Sequence, residues 1–271
     1  MTALAAKLAG LKRQAGAVAP AKPVEAAAPD HAKQLAHLRK LLGLRPQVAA
    51  TVTSLDRTLD GTEIAPGLRY LEQWVPFGRQ PDTLQLVALG MDAVDRDRVL
   101  AFDTETTGLA GGTGTRAFMI GAADWHDGGL RIRQLLLTRL AAESAMLAEF
   151  ARWLHADTVL LSYNGKSYDR PLLSTRYTLA RLPDPLRERA HIDLLHPVRR
   201  RYRGRWENCR LATVERCLLG IVREDDLPGS EAPAAWLSYL RGGSAGKLRR
   251  VGHHNAQDLR SLCLLLGHFA E

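Results

Sequence analysis

From about residue 98 onward, apolar residues come in short runs and helical repeats that are separated by turn signals. The runs predict strands at 99–102, 118–123 and 130–137, with a hairpin turn at 127–129. Later segments alternate between the two patterns, with helices predicted at 143–154, 171–182, 211–219, 234–240 and 255–269, and strands at 158–163 and 192–195. This order predicts an α/β fold whose mixed sheet has three antiparallel strands, then parallel strands, and is flanked by helices.

The segment before this domain carries no recognisable catalytic pattern. Residues 1–30 are rich in alanine, proline and lysine and predict a flexible tail. Leucines at helical spacing predict a helix at 31–44, and the stretch to residue 95 reads as a small accessory region of short strands and loops. The predicted division is therefore 1–30, 31–95 and 96–271.

Composition narrows the class of protein. The chain has 271 residues, 46% of them apolar and 24% charged, which is typical of a globular protein and excludes a disordered or fibrous chain. Apolar runs such as 262–266 are far shorter than the ~18 residues that span a bilayer, so no membrane-spanning segment is expected. Three cysteines without a C-x-x-C pair argue against a disulfide framework or a cysteine zinc site, and a reducing cytoplasm is the expected location.

The charge balance is basic and comes mainly from arginine. The formal net charge is +8, and 30 of the 37 basic residues are arginine. The densest run holds Arg199, Arg200, Arg201, Arg203 and Arg205, interleaved with Tyr202 and Trp206. Guanidinium groups clamp phosphates and aromatic rings stack on bases, so the run fits a nucleic-acid contact, while a solvated loop is the alternative.

The first candidate chemical motif is a pair of carboxylates at the end of a strand. Asp103 and Glu105 are two residues apart, so both side chains lie on one face of the strand while Thr104 points to the other. Such a pair is a suitable binding site for Mg²⁺ or Mn²⁺, which prefer carboxylate oxygen ligands. Capping carboxylates of an ordinary turn are the alternative.

Two further motifs lie far along the chain. In the first, an apolar strand leads to Asn164, and Asp169 stands at the start of a helix, where a simple N-cap is the alternative role. In the second, His253 and His254 are expected at the opening of the last helix, ahead of Asp258. A histidine beside a metal-bound carboxylate can act as a general base, and two solvated histidines are the alternative.

Together the three motifs resemble those of the DEDD 3′–5′ exonuclease superfamily, which has a ribonuclease H-like fold. The matching segments are Asp103–Gly108, Asn164 to Asp169 and His253 to Asp258. Residues 99–270 also resemble the YprB-like branch of ribonuclease H-like proteins, in segments such as 191–197 and 211–215. The resemblance implies a nuclease that hydrolyses phosphodiester bonds. As in the family it resembles, this would be a 3′–5′ exonuclease that acts on the single-stranded 3′ end of DNA or RNA. A nucleic-acid-binding module without turnover is the alternative.

The resemblance also implies a role for each site residue. The ligands of two Mg²⁺ or Mn²⁺ ions would be Asp103, Glu105, Asp169 and Asp258, and the candidates for contacting substrate are Thr106, Gly108, Asn164, Lys166 and Tyr168. Motif spacing favours His253 as the general base, whereas the helical face shared with Asp258 favours His254. Two further acidic residues, Asp193 and Glu215, either lie near the site or form hydrogen bonds with arginines.

Overall fold

A computed structural model describes residues 55–78, 81–108, 113–224 and 226–270. In this part of the chain seven strands form one sheet in the order β1-β2-β7-β6-β5-β8-β9, and β3 and β4 form a separate pair. The strands are β1 (Thr62–Ala65), β2 (Leu68–Pro76), β3 (Thr83–Leu84), β4 (Val94–Asp95), β5 (Val99–Thr106), β6 (Ala117–His126), β7 (Gly129–Leu137), β8 (Val159–Ser162) and β9 (His191–Asp193). The predicted tail and the helix at 31–44 lie outside the described residues.

The sheet is mixed, as predicted. β5 pairs antiparallel with β6 and parallel with β8, which in turn pairs parallel with β9. The predicted fold class is therefore confirmed, with one difference in extent. β2 pairs with β7 along its whole length, and β1 follows at the sheet edge, so residues 62–76 extend the sheet rather than pack beside it. Because β2 is an edge region with mostly half-buried and exposed positions, its sequence lacks the apolar run that marks a central strand.

Helices cover both faces of the sheet. They are α1 (Glu143–Arg152), α2 (Asp169–Ala180), α3 (Leu195–Tyr202), α4 (Leu211–Val214), α5 (Ala232–Leu240) and α6 (Gly246–Phe269), and a π-helical turn (Glu215–Leu219) continues α4. Alternate residues of β5 enter different cores: Leu100 and Phe102 belong to the core with α1, α2 and α5, while Val99 and Ala101 belong to the core with α3 and α6. The strand that carries the acidic pair is thus held rigidly from both sides.

The last helix is longer than the sequence predicts. α6 begins at Gly246 rather than at 255, so His253 and His254 lie inside the helix and not at its opening. Residues 246–254 contain two glycines and two histidines, which weaken the helical signal. Buried Leu248 and Val251 nevertheless continue the apolar stripe toward the N-terminus. No described helix is both long enough and apolar enough to cross a membrane.

Candidate active site

A cavity of about 170 Å³ opens at the C-terminal end of β5. Asp103 and Glu105 line it from the strand, and a register irregularity in the pairing with β6 follows directly after Glu105. The other residues around the cavity are Thr104, Thr106, Tyr168, Gly229, His254 and Asp258. Segments more than 150 residues apart in sequence therefore meet at the end of one strand.

Close packing of α6 on the sheet brings the last motif to this cavity. Gly121 of β6 lies beside Asp103, and a Cβ at this position would overlap the Asn255 side chain and come within 2.8 Å of Leu259 Cδ1. The Asn255 amide donates a hydrogen bond to Asp103 Oδ2 at 2.8 Å, and Gln134 Nε2 donates to Asn255 Oδ1 at 2.8 Å. The glycine and this buried polar chain set the height of α6 over the acidic pair.

The structure distinguishes the two histidines. His254 lies four residues before Asp258 on the same face of α6, and its Nε2 is 3.7 Å from Asp258 Oδ2. Its Nδ1 is 2.7 Å from Asp226 Oδ1, on the loop before α5. His253 is exposed and lines other cavities, outside the one around Asp103. His254, which the shared helical face favours, therefore lines the cavity, whereas His253, which the motif spacing favours, does not.

The second motif is held by the loop between β8 and α2. Asn164 has a left-handed backbone (φ 69°), and its N–H donates to Asp193 Oδ1 at 2.7 Å, while the N–H of Lys166 donates to Asp193 Oδ2 at 3.0 Å. A Cβ at Gly165 would lie 2.6 Å from Ser162 Cβ, so the turn requires glycine. Asp169 then begins α2, where the Thr104 hydroxyl donates to Asp169 Oδ1.

The candidate substrate residues divide into two groups. The Tyr168 hydroxyl donates to the Gly108 carbonyl at 2.8 Å and lies 3.2 Å from Thr106 Oγ1, so these three residues form one wall beside the acidic pair. The side chains of Asn164 and Lys166 are exposed and do not line the cavity. In this structure their backbone, rather than their side chains, organises the site.

An arginine that the sequence analysis did not single out faces the carboxylates. Arg223 binds Glu215 through two hydrogen bonds, of 2.6 and 2.7 Å, and also forms an ion pair with Asp258. Its Nη1 lies 3.1 Å from His254 Nδ1. Glu215 has no exposed surface, and the Ser261 hydroxyl also donates to it. The expected bond between Glu215 and an arginine is therefore confirmed.

Asp193 behaves differently from Glu215. Its carboxylate accepts hydrogen bonds from the backbone N–H groups of Asn164, Lys166 and Leu195, rather than from an arginine side chain. Of the two alternatives for Asp193, the structure supports a buried position near the site and not an arginine partner, because a carboxylate at a strand end meets the N–H groups of the two chain segments that start there.

Burial and mutual repulsion raise the pKa values of the acidic residues. Desolvation, and then the negative charge of Asp258, raise the pKa of Asp103 and of Glu105 well above their ordinary values. Burial raises the pKa of Asp169 to about 6, against the opposing effect of the Thr104 hydrogen bond. Burial also raises the pKa of Asp258, although the charges of His254 and Arg223 oppose this. The site thus disfavours the simultaneous ionisation of its carboxyl groups, and a bound positive charge would oppose this effect.

The donor set fits hard divalent cations in kind. Mg²⁺ and Mn²⁺ favour carboxylate oxygens, and the charge of a cation offsets the repulsion that raises the pKa values of Asp103 and Glu105. In the described part of the chain, no three His, Cys, Asp or Glu side chains are already arranged as ligands of one ion. Asp258 is instead turned toward Arg223. A cation at Asp258 would therefore bind beside Arg223, through Oδ2, or take its place at Oδ1.

Four residues of this site were missed by sequence reasoning. Gly121 and Asn255 serve the packing of α6, and Arg223 and Asp226 come from the loop between the π-helical turn and α5. A helical stripe continued to Leu248 would have placed Asn255 on the buried face, but no local pattern reveals the long-range contacts of Arg223.

Comparisons with known proteins agree with this fold. The RNase_H_2 family, of the RNase H superfamily, matches residues 100–270. The uncharacterized protein YprB of Bacillus subtilis is 37% identical over 185 residues, which is 68% of this chain and 44% of YprB. The chain thus spans less than half the length of this relative.

Two solved structures are also similar at low sequence identity. The family B DNA polymerase of Pyrobaculum calidifontis has a TM-score of 0.48 at 18% identity, over 63% of this chain and 24% of the polymerase. The zinc-bound ExoI–ssDNA complex of E. coli has a TM-score of 0.39 at 18% identity, over 53% of this chain and 40% of ExoI.

The family match covers more than half of the sequence and includes β5, α2 and α6, which carry the four carboxylates. The chain belongs to the RNase H superfamily.

Proposed function

We propose that this protein is a metal-dependent nuclease that hydrolyses phosphodiester bonds of DNA or RNA from the 3′ end. One observation supports the proposal most: Asp103, Glu105 and Asp258 line one cavity at the end of β5, and the nearby charge of Asp169 helps to raise the pKa values of the strand pair. Folding has gathered negative charge at a cost that a bound cation would offset. Membership of the RNase H superfamily supports a nuclease-like function for such a site.

The proposed metal ligands are Asp103, Glu105, Asp169 and Asp258. Two Mg²⁺ or Mn²⁺ ions held there would neutralise charge on the scissile phosphate and help to stabilise the oxygen that leaves. Asn255 holds the Asp103 carboxylate in place through its 2.8 Å hydrogen bond. The protein therefore supplies both the charge of the site and its orientation.

His254 is the proposed general base. Its Nδ1 lies closer to Asp226 Oδ1 (2.7 Å) than to Arg223 Nη1 (3.1 Å), and the carboxylate favours a proton on Nδ1. Nε2, on the side of Asp258, is then free to accept a proton from the attacking water. Thr106 and Tyr168 are the proposed contacts to the substrate end, because both side chains line the same cavity.

A nucleic-acid-binding module without turnover is the second candidate. The ion pair between Arg223 and Asp258 favours it, because the arginine already supplies a positive charge to one of the four carboxylates. The two candidates differ in one property: only the nuclease needs a divalent cation at Asp258, beside Arg223 or in its place.

Degradation of end-labelled strands separates the candidates. We expect 5′-labelled single-stranded DNA or RNA to give a ladder of products shortened by one nucleotide at a time in Mg²⁺ or Mn²⁺, and no ladder in EDTA. Asp103→Asn should remove the ladder, while Asp60→Asn, at an exposed aspartate, should leave it intact. Binding of the strands without any cleavage would favour the second candidate, and equal cleavage by Asp103→Asn would contradict the first.

A further inference from the structure

The segment from Arg199 to Arg210, here called the arginine segment, forms an ordered basic surface. Its six arginine side chains are all exposed, at positions 199, 200, 201, 203, 205 and 210. No ion pair joins any of them to a carboxylate within the described residues, whereas Arg131, Arg176 and Arg223 are each paired with one. The protein thus displays a concentrated positive charge here that its own structure does not neutralise.

Aromatic packing holds this surface in one conformation. The rings of Tyr202 and Trp206 are stacked, with their centroids 4.2 Å apart and their planes 8° apart. Between them the backbone turns through Gly204 (φ 80°), and the N–H of Arg205 donates to the carbonyl of Tyr202 at 3.0 Å. The buried Tyr202 is also anchored to α6, where its hydroxyl lies 3.3 Å from His268 Nε2. The arginines therefore extend from a fixed base, which reduces the entropy lost when they bind a ligand.

Both ends of the arginine segment connect to the candidate active site. Before its start, Asp193 binds the N–H of Leu195, the first residue of the helix that carries Arg199, and the N–H groups of the loop that leads to Asp169. At its end, the hydroxyl of Tyr163 donates to the carbonyl of Cys209 at 2.6 Å. The chain then continues through α4 to Glu215, the partner of Arg223. The chain at both sides of the arginine segment is therefore bonded to loops that also hold residues of the candidate site.

The length of α6 gives the reach of this surface. Asp258 and His268 are ten residues apart on this helix, which corresponds to about 15 Å at 1.5 Å per residue. His268 contacts Tyr202, so this base of the arginine segment lies about 15 Å along α6 from Asp258. At ~3.4 Å per phosphate, this distance covers roughly four phosphates of a stacked strand.

We propose that the arginine segment binds the phosphate backbone of the nucleic-acid strand whose 3′ end lies in the acidic cavity. This inference rests on the proposed function and extends it from the reacting end to the strand behind it. The ligand is a polyanion read by charge, so the contact carries little sequence preference. The stacked Tyr202 and Trp206 serve as the support from which the guanidinium groups reach the phosphates.

Binding without divalent cations tests this inference separately from turnover. Fluorescence anisotropy of a labelled 20-mer oligothymidylate in EDTA is compared between the wild-type protein and Arg200→Gln/Arg201→Gln/Arg203→Gln. Each phosphate contact contributes about 0.7 to the slope of log affinity against log salt for a single strand, so the slope should fall by about 2. At 0.1 M salt the affinity should fall roughly 10- to 100-fold.

A control with the same change of net charge is Arg152→Gln/Arg187→Gln/Arg241→Gln. These three arginines are exposed and lie next to the core that contains α1, α2 and α5. It should bind as the wild type does. An equal loss in both variants, or no loss in either, overturns the inference, and so does binding to phosphatidylserine vesicles without binding to the oligonucleotide. If the triple variant does not fold, the single variants Arg200→Gln and Arg203→Gln should each lower the slope by about 0.7. Absence of cleavage would refute the nuclease proposal and leave this binding result unchanged.

Discussion

Replacement of Arg223 by methionine removes the cation that faces Glu215 and Asp258. Glu215 has no exposed surface, and its two hydrogen bonds to the guanidinium are the main compensation for its charge. Removal of one partner from a buried ion pair typically costs about 3–5 kcal/mol, because the other charge is left in a medium of low dielectric. For a domain of this size, this corresponds to a fall in the melting temperature of about 6–20 °C.

Chemical unfolding in EDTA, followed by tryptophan fluorescence, measures this cost. The matched control is Arg216→Met, which removes an arginine from a pair with Glu207 in which both side chains are more than half exposed. Such a surface pair contributes about 0–1 kcal/mol. In Arg223→Met/Glu215→Gln the uncompensated charge is gone, so much of the stability should return. An unfolding free energy for Arg223→Met within about 1 kcal/mol of the wild type would refute this reasoning.

Three further predictions concern the site. In EDTA, the free energy of unfolding should fall as pH rises from about 4 through about 6. The reason is that the pKa of Asp169 is raised from 3.8 to about 6, so the folded protein holds this proton more tightly than the unfolded chain does. The residue contributes about 3 kcal/mol, and a urea-unfolding free energy that does not change with pH would contradict the prediction. His254→Ala should lower kcat for strand cleavage by roughly 10²–10⁴, while His253→Ala should change it less than about twofold; the opposite order would return the role to His253. Gly121→Ala should destabilise the protein by about 1–3 kcal/mol, since the added Cβ meets α6, whereas Gly114→Ala, with open space around it, should change thermal stability little.

Local patterns were sufficient to predict the central elements of the fold. β5 is an apolar run covered on both faces, and the two-residue spacing of Asp103 and Glu105 places both at the cavity, while the hydroxyl of Thr104 between them donates to Asp169. These features depend on strand alternation alone, which acts within a few residues. The mixed order of strands follows from the change between hairpin and helical connections.

Contacts between distant segments could not be predicted in this way. Which histidine faces Asp258 depends on whether the helix already includes residues 253–254, and its early start at Gly246 depends on packing of buried Leu248, whose segment has a weak helical signal. The partners of Arg223 lie up to 35 residues away, across a turn with no repeated pattern. The pairing of β1 and β2 at the edge of the sheet was also not predicted, because their residues are mostly exposed or half-buried and form no apolar run that would mark a strand.

We propose that the carboxylates at the end of β5 hold divalent cations. Isothermal titration calorimetry of Mn²⁺ into the protein tests it without any assumption about the substrate. We expect two Mn²⁺ ions to bind per chain, and Asp103→Asn to lose affinity by at least the ~10–100-fold that changes in the outer partners of metal ligands produce. An Asp103→Asn protein that binds Mn²⁺ as well as the wild type, or a wild type that binds none, would contradict it.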